Sequence, residues 1–159
     1  MLSGGDTSVS KISSFTIVCL GFSNKIIKRN NVKTNDDIYV TGNLGDSYVG
    51  LNILKNKINI NKKINSYFER KYFLPNLPVA IHKYLFKFAN SSIDVSDGII
   101  DDLNKLINEQ NVGFNLYIDK IPISKNLKIY LKNNSKNPLN FVSKGDDYQI
   151  LFTSPKKNR

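Results

Sequence analysis

Apolar positions along the chain repeat with two different periods, which predicts interleaved strands and helices. Short runs rich in β-branched and aromatic residues predict strands. These runs lie at residues 15–20, 38–41, 92–95, 114–118 and 149–153. Helical spacing predicts helices at residues 48–54, 78–89, 99–110 and about 127–131. Because the strands and helices show no regular βαβ order, the pattern predicts a mixed α+β fold.

Local signals refine several of these elements. The apolar setting of Cys19 predicts a small core residue, and a single cysteine forms no internal disulfide, which fits a reducing cytoplasm. Gly113 is predicted to end the helix that starts near residue 99. The helix after Pro78 is predicted to place His82 on its exposed side, opposite a buried face of four apolar residues. These four are Val79, Leu85, Phe86 and Ala89.

The length and the charge of the chain limit the classes of function that it could have. At 159 residues the chain holds one cored domain, or one domain and part of another, and it has no apolar run of membrane-spanning length. The net charge of +10 invites a nucleic-acid partner, but the bases are almost all scattered lysines. Asparagine and isoleucine are as abundant as lysine, which indicates an A/T-rich genome. We therefore expect neither a nucleic acid nor a membrane as partner.

The sequence Asp-Val-Ser-Asp-Gly at residues 94–98 joins a predicted strand to a predicted helix. Ser96 is a suitable N-cap, and Asp101 and Asp102 fall in the first helical turn, where the helix dipole favours negative charge. One interpretation is an ordinary capped helix with a solvated acidic end. The other is a site where Asp94 and Asp97 hold Mg²⁺ and free backbone N–H groups receive a phosphate.

Three more turns combine glycine with Asp, Ser or Thr. They lie at residues 4–8, 42–47 and 145–148. Each is weak evidence alone, and residues 42–47 match neither the Walker A nor the dinucleotide spacing. Four such turns in one small chain indicate a site built from acidic loops around Mg²⁺ and phosphate.

The four turns stand in the order and approximate spacing of thiamine-monophosphate kinase, and the sequence resembles that family from residue 3 to residue 155. The resemblance implies the fold of the aminoimidazole ribonucleotide synthetase superfamily. It also implies transfer of the γ-phosphoryl group of ATP to thiamine monophosphate with Mg²⁺, in the cytoplasm. Such transfer relies on positioning and charge neutralisation, so no nucleophile on the protein is required.

The resemblance assigns roles residue by residue. It implies that Asp6, Asp94 and Asp97 bind the metal ion, and that Gly5, Asp6, Arg29 and Ser96 contact the nucleotide. Asp146 stands where the family has a substrate-contacting glutamate. The sequence departs from the family at Lys144 and Gln149, which flank this motif, and it lacks the arginine of the family's Pro-x-Pro-Arg segment after Pro78.

The resemblance further implies a partial chain. Residues 1–30 are expected to be the remnant of the N-terminal ATP- and metal-binding domain, and residues 31–159 a C-terminal α+β domain incomplete at its end. Full-length relatives pair through their N-terminal domains, so this chain is not expected to form the same homodimer. Two alternatives stay open, namely a non-catalytic remnant and a superfamily member with another phosphate acceptor.

Overall fold

The computed structural model describes residues 11–12 and 17–159. Three strands occupy Asp36–Val40 (β1), Ser91–Val95 (β2) and Gln149–Pro155 (β3). Six α-helices occupy Asp46–Leu54 (α1), Lys62–Phe73 (α2), His82–Phe88 (α3), Ile99–Leu106 (α4), Lys125–Asn133 (α5) and Leu139–Val142 (α6). Single 3₁₀ turns lie at Val79–Ile81, Ile118–Lys120 and Lys156–Asn158. Within these described ranges, no helix is both long and apolar enough to cross a membrane.

The strands form one antiparallel sheet with β3 in the centre, in the order β1-β3-β2. Ile93 of β2 pairs with Leu151 of β3, and both side chains point to the face covered by α4. Leu103 and Leu106 of α4 are fully buried against this face, since apolar residues three or four positions apart share one side of a helix. Side chains alternate along a strand, so Asp94 lies on the opposite face of the sheet.

A second apolar core joins four helices beside the sheet. Its buried members come from α1, α2, α5 and α6, and are Val49, Ile53, Phe68, Leu127, Tyr130, Leu131 and Phe141. Gly50 lets α1 approach α2 closely, because a Cβ atom there would stand 2.2 Å from the carbonyl oxygen of Phe68. The sheet and the helical group together confirm the α+β fold class.

Two predicted strands are wrong. Residues 17–20 form no strand, and Cys19 is exposed rather than buried, as are Ile17 and Leu20. Residues 114–117 alternate in burial, but they have no ladder partner in the described chain, and a 3₁₀ turn follows. Alternation reports which side chains are buried, whereas a strand also needs a hydrogen-bonded neighbour.

Several helix boundaries also differ from the prediction. Helix α4 ends at Leu106 rather than near Gly113, and Glu109 takes a left-handed conformation with φ of 63°. Helix α2 covers Lys62–Phe73 and is not among the helices that the apolar spacing predicts. After Pro78 a 3₁₀ turn precedes α3, and of the predicted apolar face Leu85 is buried whereas Val79 and Phe86 are exposed. His82 is exposed, as predicted.

Candidate functional site

The turn at residues 94–98 is held from inside by one buried carboxylate. Oδ2 of Asp102 accepts hydrogen bonds from the backbone N–H groups of Ser96, Asp97 and Gly98, at 3.0, 3.0 and 3.1 Å. Gly98 occupies the N-cap position with φ of 121°, and no side chain at that position caps the helix. The prediction that Ser96 caps α4 is therefore wrong, and the N–H groups of residues 96–98 are occupied by Asp102 rather than free.

The outer side of the same turn carries negative charge. Asp94 and Asp97 are exposed, and the ammonium of Lys105 contacts a carboxylate oxygen of Asp97. Lys105 also donates to Oδ1 of Asp102 at 2.9 Å. Asp97 first, and then Asp102, raise the pKa of Lys105. The turn thus presents two carboxylates to solvent, and one of them is neutralised by a lysine of α4.

The turn at residues 145–148 is fastened directly to the first turn. The N–H group of Asp146 donates to the carbonyl of Ser96 at 3.0 Å, and that of Tyr148 donates to the carbonyl of Val95 at 2.8 Å. Gly145 is required here, since a Cβ atom would stand 1.7 Å from the carbonyl oxygen of Ser96. The structure therefore brings Asp146, the expected substrate contact, to the turn that carries the expected metal ligands Asp94 and Asp97.

The phenol of Tyr148 lies near the carboxylates of both turns. Burial raises the pKa of its phenol, and the charges of Asp146 and Asp94 raise it further. The phenol also donates a hydrogen bond to Oδ1 of Asp146 at 3.4 Å. The carboxylates of Asp94 and Asp146, one from each turn, therefore both lie near the Tyr148 phenol.

The glycine turn at residues 42–47 joins this group through Asp147. The buried carboxylate of Asp147 accepts from the N–H groups of Gly45, at 2.7 Å, and Ser47, at 3.4 Å, at the start of α1. Burial raises its pKa to about 7, although these two hydrogen bonds act in the opposite direction. Asp147 therefore supplies the side-chain contact that satisfies backbone N–H groups at the start of α1.

Asp46 is instead part of a second buried polar contact. Its carboxylate accepts from the hydroxyl of Ser124 at 2.6 Å and from the phenol of Tyr67 at 2.8 Å. Burial raises its pKa, and these hydrogen bonds reduce the shift. The hydroxyl of Ser124 also accepts from the N–H group of Leu127, so this residue caps α5. The turns and the helical core are thus tied together by buried carboxylates.

Comparisons with known proteins match the chain to thiamine-monophosphate kinases. The chain is 41% identical over 162 residues to a thiamine-monophosphate kinase of Buchnera aphidicola subsp. Acyrthosiphon pisum, covering 99% of this chain and 49% of that protein. It is 31% identical over 155 residues to the thiamine-monophosphate kinase of Aquifex aeolicus, covering 97% of this chain and 51% of that protein. No protein-family model matches.

Comparison with solved structures gives the same family of proteins. The structure of AaThiL complexed with AMPPCP and TMP matches with a TM-score of 0.75 and 32% identity, over 84% of this chain and 43% of that one. The chain is therefore similar to thiamine-monophosphate kinases in both sequence and fold. It spans about half the length of the curated relatives it matches.

The other residues that the family resemblance singles out are not all at the described turns. Gly5 and Asp6 lie outside the described residues. Arg29 is exposed, and its neighbour Asn30 donates to the carbonyl of Leu106, at the opposite end of α4 from Asp97. Its nucleotide contact stays a prediction.

Two residues important for the geometry, Asp102 and Asp147, were not predicted from the sequence. Asp102 was noted only as a first-turn acid, and its position four residues after Gly98 was a usable signal for a side chain folding back onto the turn. Asp147 lies beside a predicted site residue, but its partner Gly45 is 102 residues away. Nothing local indicates that contact.

Proposed function

We propose that this chain supplies part of a thiamine-monophosphate kinase site, which uses ATP and Mg²⁺ to phosphorylate thiamine monophosphate to thiamine diphosphate. The observation that carries the proposal is the direct joining of two family motifs, the turns at residues 94–98 and 145–148, by two backbone hydrogen bonds. Motifs that only resembled a family by chance would have no reason to meet in the fold.

The donor chemistry of these turns fits Mg²⁺, which prefers carboxylate oxygens and water. Asp94 and Asp97 present such oxygens at the surface. Residues 11–12 and 17–159 contain no group of three side chains able to hold a metal ion. We therefore expect further ligands from outside these residues, and Asp6 is the one that the family resemblance provides.

The roles of the chain's own residues follow from their placement. Asp94 and Asp97 would hold the ion, which when bound would neutralise the charge of the transferred phosphoryl group. Asp146 would contact the substrate at the neighbouring turn. Ser96 would contact the nucleotide, together with Gly5, Asp6 and Arg29.

We also propose that residues 1–30 belong to a different domain from residues 31–159, and that the protein works in the cytoplasm. Support for this boundary comes from six exposed apolar side chains among the described residues before 27, namely Ile12, Ile17, Val18, Leu20, Phe22 and Ile26. The packed cores draw on residues from Val32 onward. We expect the chain alone to lack the dimer contact of longer relatives.

A chimeric protein tests the proposed function. The chain would replace the matching half of the Buchnera aphidicola relative, and thiamine diphosphate would be measured after incubation with thiamine monophosphate, ATP and Mg²⁺. We expect product from the chimera, a loss of at least about a hundredfold in Asp94→Asn and Asp97→Asn, and little change in Asp101→Asn, because ion neutralisation is a large part of phosphoryl transfer.

The outcome distinguishes the alternatives. A folded chimera that makes no more product than its Asp94→Asn variant would refute the kinase proposal. Binding of ATP with Mg²⁺ but no turnover would favour the non-catalytic remnant, and turnover of a different phosphate acceptor would favour the other superfamily activity.

A further inference from the structure

The start of α4 has the general features of an anion site. A helix N-terminus carries partial positive charge and unpaired N–H groups, and phosphates commonly bind there. In this chain the three N–H groups of residues 96–98 all point to one oxygen of Asp102, which is fully buried. An internal carboxylate therefore occupies the three N–H groups that lead into the helix.

We propose that Asp102 is a positioning residue that keeps the N–H groups of residues 96–98 from binding anions, so that these amides make no direct contact with phosphate and the turn meets it through the Ser96 hydroxyl and a cation on Asp94 and Asp97. The inference deepens the proposed function and rests on it for the identity of the cation.

Charge and geometry support this assignment together. Hydrogen bonds from backbone N–H groups to an ionised acceptor are stronger than neutral ones, so a free phosphate would have to displace a well-satisfied buried group. With its N–H groups turned inward, the turn directs the carboxylates of Asp94 and Asp97 to solvent. The net result at the surface is negative, which attracts cations and repels free phosphate.

The same geometry refines the expected role of Ser96. Its N–H group is bound to Asp102 and its carbonyl accepts from Asp146, so both backbone polar groups are occupied. A nucleotide contact at this residue is therefore left to the side-chain hydroxyl. Ser96→Ala should then weaken nucleotide binding. If the nucleotide contacted only the backbone N–H group of Ser96, the same change would leave the binding affinity unaltered.

Nuclear magnetic resonance of the 159-residue chain tests the proposal with inorganic phosphate and Mn²⁺ as probes. In the parent chain we expect millimolar phosphate to leave the amide resonances of residues 96–98 in place, and Mn²⁺ to broaden residues 94–98. In Asp102→Ala we expect phosphate to shift these three amides, and formate, which mimics the lost carboxylate, to reverse the shift.

Asp101→Ala is the matched control. Asp101 is exposed in the same helical turn and carries the same charge, so its removal should leave the amides unresponsive to phosphate. Equal phosphate shifts in the parent chain, or none in a folded Asp102→Ala variant, would overturn the proposal. So would an absence of Mn²⁺ broadening in the parent chain.

Amide hydrogen exchange keeps the proposal testable if Asp102→Ala does not fold. In the parent chain the amides of residues 96–98 should exchange at least about tenfold more slowly than those of exposed loop residues, because each is bound to a buried acceptor. Exchange at the rate of an exposed loop would refute the role of Asp102. Loss of kinase turnover in the chimera, with these amides still protected, would instead count against the proposed function alone.

Discussion

Asp147 gives a stability prediction whose sign and size follow from its position. Burial raises the pKa of its carboxyl from 3.8 to about 7, despite the opposing hydrogen bonds from Gly45 and Ser47. Between these two pH values the unfolded chain releases a proton that the folded chain retains. The stabilisation from this group is therefore fully present below pH 3.8 and is lost as the pH rises through about 7.

The magnitude follows from the size of the shift. Each unit of pKa difference between the folded and unfolded states corresponds to about 1.4 kcal/mol, so the full shift corresponds to about 4 kcal/mol of unfolding free energy. That is a large fraction of the stability of a typical domain. The effect should therefore be visible in ordinary denaturation curves.

Asp147→Asn isolates this effect, because asparagine keeps the shape of the side chain but does not ionise. Urea denaturation at pH 4 and at pH 8 would give the free energy of unfolding of the parent chain and the variant. We expect the variant to gain about 4 kcal/mol relative to the parent between these pH values. The comparison cancels the pH dependence that other carboxylates contribute equally to both proteins.

Asp101→Asn serves as the control, since Asp101 is exposed and should give a difference that hardly changes with pH. A flat difference for Asp147→Asn would refute the reasoning. If Asp147→Asn instead became less stable than the parent chain as the pH rises, the predicted sign would be wrong. The N–H groups of Gly45 and Ser47 would then stabilise the charged carboxylate by more than burial destabilises it.

Three further changes have defined outcomes. Gly98→Ala should cost at least about 2 kcal/mol of unfolding free energy, because the φ of Gly98 is 121° and a Cβ atom there would stand 2.4 Å from the backbone of Ser143. Gly113→Ala is the control: a Cβ atom there would meet nothing within 4 Å, so this change should be nearly neutral in the same denaturation assay. Ser124→Ala removes the cap of α5 and a donor to Asp46, and should cost about 2 kcal/mol by denaturation, with no loss falsifying the cap assignment. Lys105→Met should raise Mn²⁺ affinity in titrations roughly two- to fivefold by freeing Asp97, and unchanged affinity would show that this ion pair does not compete with the cation.

Sequence reasoning predicted the fold best where the signals are local. The strand, turn and helix around residue 98 follow from an apolar run, a glycine and helical spacing within some fifteen positions, and the structure confirms all three. The strand predicted at residues 114–118 is wrong because its alternation comes from Phe114 and Leu116 packing on the main core. Pattern alone does not show whether a neighbouring strand is present.

The candidate site shows the same limit. The three described turns were predicted as a group from their composition, but the contacts that join them depend on pairs far apart in the chain. Asp147 and Gly45 illustrate this, because their separation of 102 residues leaves no trace in local spacing. At the start of α4 two residues could satisfy the N–H groups, and the general preference for Ser at N-caps favoured the wrong one.

Of the three departures from the family at the last turn, Lys144 and Asp146 are expected to affect function to different degrees. Lys144 is exposed and has no left-handed backbone, so a glycine is not needed there for conformational reasons. Asp146 and Tyr148 do take left-handed conformations, with φ of 67° and 49°, which are unfavourable for residues other than glycine. Backbone bonds to Ser96 and Val95 hold them there. Since the fold retains this strain at the residue proposed to contact the substrate, the shorter carboxylate of Asp146 is the departure that should bear on function.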